Sequence, residues 1–203
     1  MTECRILLAT GNAHKVQEIR DILAGEGLEL WDLGRFPGLP EPRESGQSFL
    51  DNARIKARHY YHLTGLPTLA DDSGLEVDAL GGEPGVHSAR YGGADLPHSE
   101  KIRLILEKLR EVPPTERTAR FRCVAVLVGE GEPLVASGVC EGRIAQEPRG
   151  EHGFGYDPIF FLPERGCTMA ELPPQEKNRI SHRAQAMRAL AQSLRARVGG
   201  CPR

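Results

Sequence analysis

Arg5-Ile6-Leu7-Leu8-Ala9 opens the pattern with a short apolar run. Turn chemistry follows at once in Thr10-Gly11-Asn12, and then a helical spacing in Val16, Ile19 and Leu23. This order predicts a buried strand, a turn and a helix that stops near Gly25 and Gly27. A second strand is expected over 28–33, followed by a Pro/Gly-rich loop to Gly46. Ser48 stands where a helix cap belongs, ahead of Phe49, Ala53, Ala57 and Tyr60 on one helical face. Leu69-Ala70 then runs into the polar cluster Asp71-Asp72-Ser73-Gly74.

The glycine-dense stretch 81–93 reads as loop or very short strands, and 99–110 as a helix burying Ile102, Leu106 and Leu109. The period then changes. Ala119, Phe121 and Cys123 alternate with Arg120 and Arg122, and 124–128 is apolar on both faces. A strand entering the core from a half-solvated edge is expected, with a turn at 130–133 and a partner strand over 134–140. The last helix is expected from about Ser181, burying Ala184, Met187, Ala191 and Leu194, with 195–203 as a frayed tail. Helices at both ends of a strand-rich middle give an α/β or α+β class with a mixed sheet, in a single domain over 1–203.

Composition narrows this picture. At 203 residues, 39% hydrophobic and 27% charged, the chain can bury a sizeable core. Lys and Arg number 26 against 28 Asp and Glu, a formal charge of -2, which excludes a broad cationic field for a nucleic-acid polymer. No apolar stretch is long enough to span a membrane and no signal peptide is apparent. The five cysteines are scattered without C-x-x-C spacing, so reduced thiols in a cytoplasmic protein are expected.

Four groups of residues carry candidate chemistry. Thr10, Gly11, Asn12, Ala13, His14 and Lys15 put a glycine turn at a helix N-terminus with a lysine just inside, which suits a phosphate. The spacing is not that of a P-loop. Asp71, Asp72 and Ser73 offer hard oxygen ligands of the kind Mg²⁺ prefers, and a solvated turn reads the same way. Glu44 can complete that carboxylate set, while Asn52 and Lys56, one helical turn apart, let Lys56 reach a phosphate. In Gly153-Phe154-Gly155-Tyr156-Asp157 the glycines let a ligand approach an aromatic face that a base can stack on, or simply fold an aromatic over a tight turn. Finally, Lys177 with Ser181-His182-Arg183 places cations at a helix start, against the dipole, where a pocket of donors or a solvated basic turn are both consistent.

In their order along the chain, these blocks resemble a known family. T-G-N-x-x-K, E-S-G-x-S-F-x-x-N-A-x-x-K, A-D-D-S-G-L-x-V-D-A-L, P-G-V-x-S-A-R-Y, G-F-G-Y-D-P-I-F and S-H-R are similar to the motifs of the Ham1-like inosine triphosphate pyrophosphatases, from about Arg5 to Leu194. The resemblance implies an elongated α/β fold, with a long mixed central sheet flanked by helices and a substrate cleft between two lobes. It implies a homodimer that uses Mg²⁺ to hydrolyse non-canonical purine nucleoside triphosphates (ITP, dITP, XTP) to monophosphate and pyrophosphate.

By motif, the residues from Thr10 to Lys15 would bind the triphosphate with help from Lys56. Glu44 and Asp72 would hold the metal with Asp71 alongside, and Asp72 would be the general base. Ser73 would touch substrate, and Phe154, Gly155, Tyr156, Asp157, Lys177, His182 and Arg183 would enclose the base. This sequence departs from the family pattern at Arg43, Asp51 and His87. Two other readings stand beside this one: a non-catalytic purine-nucleotide-binding module, and the related Maf-type pyrophosphatases with another base preference.

Overall fold

The structure is a computed structural model that describes residues 4–199. Its strands are β1 (Cys4–Leu8), β2 (Leu28–Asp32), β3 (Thr68–Val77), β4 (Thr118–Val128), β5 (Leu134–Ile144), β6 (Phe160–Leu162) and β7 (Cys167–Thr168). The helices are α1 (Ala13–Ile22), α2 (Phe49–Thr64), α3 (His98–Lys108), α4 (Pro174–Ile180) and α5 (His182–Gly199). A seven-stranded sheet runs in the order β2-β1-β3-β4-β5-β6-β7. It is mixed: β1 pairs with β2 and β3 in parallel, whereas β6 is antiparallel to β5 and β7.

The chain divides into two compact units. The first comprises the described parts of Met1–Asp72 and Arg183–Arg203 together with Cys123–Gly138. Here successive strand residues go to opposite faces, as the pleat requires. Ile6, Leu8, Leu69, Cys123, Ala125 and Leu127 pack with Val16 and Ile19 of α1 and Ala186, Met187, Leu190 and Ala191 of α5. Leu7, Ala70, Val126 and Val128 pack with Ala53, Ala57 and Tyr60 of α2. Both faces are covered, which is why residues 6–9 and 123–128 are apolar without interruption.

The second unit is Ser73–Arg122 with Val139–His182. One apolar cluster joins Leu75, Val77, Ala119 and Phe121 to Ile102 and Ile105 of α3 and to Ile159, Phe160 and Met169. The other face of these strands is polar. Arg120 pairs there with Glu76, Asp78 and Glu141, and Arg122 with Glu76, so the arginines that alternate with Ala119 and Phe121 lie on an ion-pair ladder.

Helix signals in the sequence are matched by caps in the structure. Asn12 accepts from the backbone N–H groups of His14 and Lys15. The Ser48 hydroxyl accepts from the Asp51 N–H and donates to the Asp51 carboxylate at 2.7 Å. That reciprocal contact gives the departure at Asp51 a local role in closing the first turn of α2.

Several expectations need correction. Asp71-Asp72-Ser73-Gly74 is not a turn at a strand end, since β3 runs straight through it to Val77. Stretch 81–93, expected as loop or very short strands, holds a 3₁₀ helix, Gly85–Arg90, and a single antiparallel bridge from Pro84 to Glu76. A separate short helix, α4, precedes α5 and carries Lys177. Strand β5 extends four residues past Cys140. Helix α5 continues to Gly199, past residue 195 where the sequence predicts a tail, and 200–203 lie outside the described residues.

Candidate active site

The central feature of the first unit is the pair of carboxylates in the middle of β3. Because they are adjacent on a strand, they leave the sheet on opposite faces. Asp71 faces α1 and α5 and is 1% exposed. Its Oδ2 lies 3.1 Å from Lys15 Nζ and accepts from Arg183 Nη2 at 3.2 Å and Nε at 3.3 Å. Arg183 Nη1 in turn donates to Glu18 Oε2 at 2.5 Å. Burial alone would raise the pKa of Asp71, but Lys15, Arg183 and Lys56 outweigh it and hold the carboxyl well below the usual range. Nearby, the Cys123 thiol is pushed up by burial and by the Asp71 charge, so it stays protonated.

Asp72 faces α2. Lys56 Nζ donates to its Oδ1 at 2.9 Å and also pairs with Glu44 Oε2 at 3.3 Å. Asn52 Nδ2 donates to Asp72 Oδ2 at 3.3 Å. Burial dominates at Asp72 and lifts its pKa above the ordinary carboxylate value despite Lys56 and Lys15. Lys56 also loses hydration, but Asp72, Asp71 and Glu44 reverse that effect and keep it firmly protonated.

At the start of α1 the glycine turn is exposed from Gly11 to His14. Thr10 Oγ1 accepts from the Asn12 N–H at 3.2 Å, so the turn is shaped by its own side chains. Nothing would crowd a Cβ at Gly11, which leaves this end of the helix open to an anion.

In the second unit, Phe154 and Asp157 are tied to Lys177. The Asp157 carboxylate accepts from Phe154 N–H at 2.8 Å and from Lys177 Nζ at 2.5 Å. Lys177 Nζ also sits 4.7 Å from the centre of the Phe154 ring. Gly153 makes this possible: its φ is +74°, and a Cβ there would lie 2.1 Å from Asp157 Oδ2.

His182 stacks on Phe121 with ring centres 4.8 Å apart. Tyr156 is 4% exposed, and its hydroxyl donates to the Ser88 carbonyl at 2.9 Å. Ser88 Oγ accepts from Leu75 N–H, and buried Lys101 donates to the neighbouring Ala89 carbonyl. The P-G-V-x-S-A-R-Y motif is thus held as a framework turn. Ser73 is half-buried on β3.

The structure therefore gathers Lys15, Asp71 and Arg183 into one group and Glu44, Lys56 and Asp72 into another, and it joins Phe154 to Asp157 and Lys177. The sequence reading missed Glu18 and left Asn52 without a role. Glu18 looks like ordinary helix surface, and its partner lies 165 residues away. Asn52 does carry one signal, since it shares a helical face with Lys56.

Among the described residues no three His, Cys, Asp or Glu side chains form a metal cage. Two carboxylates converging on one ammonium nevertheless fit Mg²⁺, which takes one or two protein carboxylates and completes its shell with water and substrate phosphates. Such a set of buried acids and lysines on a mixed α/β sheet defines a protein that handles a charged phosphate ester or anhydride.

Residues 6–193 match the Ham1 family model, and the chain belongs to that family. It is 51% identical to the dITP/XTP pyrophosphatase of Methylococcus capsulatus, covering 97% of this chain and 98% of that protein. It is 50% identical to the dITP/XTP pyrophosphatase of Geobacillus kaustophilus, with 96% of each covered. Among solved structures, the HAM1 protein of Coxiella burnetii superposes with a TM-score of 0.85 at 46% identity, covering 94% of this chain and 98% of that one. No described helix is long and apolar enough to cross a membrane.

Proposed function

We propose that this chain is a cytoplasmic, homodimeric pyrophosphatase that uses Mg²⁺ to hydrolyse ITP, dITP and XTP to the monophosphate and pyrophosphate. The observation that carries this reading is the joint hold of Lys56 on Glu44 and Asp72, beside the open N-terminus of α1 with Lys15. A module that only bound nucleotides would need no buried acid of raised proton affinity, and the relatives' names supply the substrate class.

Asp72 takes the proton from a water that attacks the α-phosphorus. The bond from the α-phosphorus to the bridging oxygen breaks, and pyrophosphate leaves with the electron pair. Lys15, Lys56 and the turn from Thr10 to His14 stabilise its charge. Mg²⁺ would be held by Glu44 and Asp72 and would polarise phosphoryl oxygens. Asp71 is the counter-charge to Lys15 and Arg183 and stands alongside the metal pair Glu44 and Asp72.

Phe154 stacks on the base, while Lys177 and His182 supply donors to a 6-oxo acceptor. Adenine presents a 6-amino donor there, and a mismatch of this kind is rejected by as much as about 10⁴–10⁵-fold. The test is a nucleotide panel with Mg²⁺ that resolves pyrophosphate from orthophosphate. ITP, dITP and XTP should yield monophosphate and pyrophosphate, with ATP turned over far more slowly. Release of orthophosphate, or equal use of ATP, overturns the assignment.

A further inference from the structure

Helix α2 brings a polar side chain to this site that neither accepts the water's proton nor adds charge. Asn52 is fully buried, at 0% exposure. Its Nδ2 donates to Asp72, and its Oδ1 accepts the Gly46 N–H at 2.8 Å. A carboxylate can only accept and a main-chain N–H can only donate, so the amide satisfies both in one orientation, its nitrogen toward Asp72 and its oxygen toward Gly46.

Gly46 is matched to that contact. A Cβ on it would lie 2.6 Å from Asn52 Oδ1, 2.6 Å from Asp51 Cβ and 2.9 Å from the Asn52 nitrogen. The loop therefore meets the first turn of α2 at a separation that only glycine allows. Gly46 lies two residues beyond Glu44, so a single amide links the loop bearing Glu44 to the strand bearing Asp72.

We infer that Asn52, seated by Gly46, is a positioning residue that sets the separation of Glu44 and Asp72 and with it the divalent-cation affinity of the site. This rests on the proposed role of those two carboxylates as metal ligands. Partners that orient metal ligands typically change affinity by about 10–100-fold when removed.

The probe is Mn²⁺ alone, titrated without nucleotide and followed by the electron paramagnetic resonance of the free ion, with melting temperature as a check on folding. Asn52→Ala and Gly46→Ala should each weaken Mn²⁺ binding by about 10–100-fold. The double variant should be no weaker than the worse single one, because both break the same link. Should Asn52→Ala fail to fold, Gly46→Ala carries the same test through the opposite partner. Binding that Glu44→Gln abolishes but Asn52→Ala or Gly46→Ala leaves unchanged overturns the inference, as do additive losses in the double variant. Binding that Glu44→Gln leaves untouched overturns the metal-ligand reading instead.

Discussion

Asp71 and Asp72 adjoin in sequence, yet the pleat gives them opposite surroundings and separable tasks. Asp72→Asn removes a buried acid that desolvation already disfavours as an anion, so the variant should fold normally and lose about 10²–10⁴-fold in turnover. Asp71→Asn leaves Lys15 and Arg183 without their shared carboxylate. Breaking a buried pair in this way costs roughly 3–5 kcal/mol. The pH dependence has a definite sign: the folded pKa of Asp71 lies below its unfolded value. Its contribution is therefore complete above that unfolded value, about 3.9, and is lost as pH falls toward the folded one. Urea unfolding should show a wide gap between wild type and Asp71→Asn at pH 7 that narrows toward pH 3. A gap that stays constant, or an active and stable Asp72→Asn, contradicts this division. The sequence announced both acids but not their separation, because Asp-Asp-Ser-Gly has turn composition and only pairing within the sheet keeps it extended.

At the level of elements, Gly153 closes the turn that presents Phe154. Gly153→Ala places a methyl against the Asp157 carboxylate in a backbone region that alanine avoids, so both the Phe154 N–H bond and the Lys177 pair should be displaced. If Phe154 stacks on the base, KM for ITP should rise by about 10–100-fold, the equivalent of a lost stacking contact, with kcat changed less. Steady-state kinetics on a variant of wild-type melting temperature checks this, and an unchanged KM counts against it.

Longer elements were legible because their buried stripes repeat. Phe49, Ala53, Ala57 and Tyr60 of α2 are all buried, as their spacing requires. The pieces that were not legible are too short for a period to show: α4 has seven residues, β6 three and β7 two. The start of α5 is a different case. Its unfavourable cations were visible, but the Glu18 and Asp71 partners that make Arg183 tolerable come from distant segments.

Across the whole molecule, the first unit depends on its last segment. The final helix supplies Ala186, Met187, Leu190 and Ala191 to the face built on β1 and α1, and Arg183 to Asp71. A chain ending at Ile180 should therefore lose the cooperative unfolding of this unit. Trp31 is the single tryptophan and lies in that unit, 4.7 Å from Arg35 and beside Phe36, so its fluorescence reports on it. A truncated chain with the wild-type urea transition would contradict this. The same segmentation orders events on the ribosome. The second unit closes with residue 182, whereas the first must wait, with its strands made and one face uncovered, until residues 183–199 emerge. The turn from Thr10 to Lys15 is thus synthesised ahead of the second unit, and the face beside it is completed after that unit. During that interval the nascent protein is most exposed to aggregation and most in need of a chaperone.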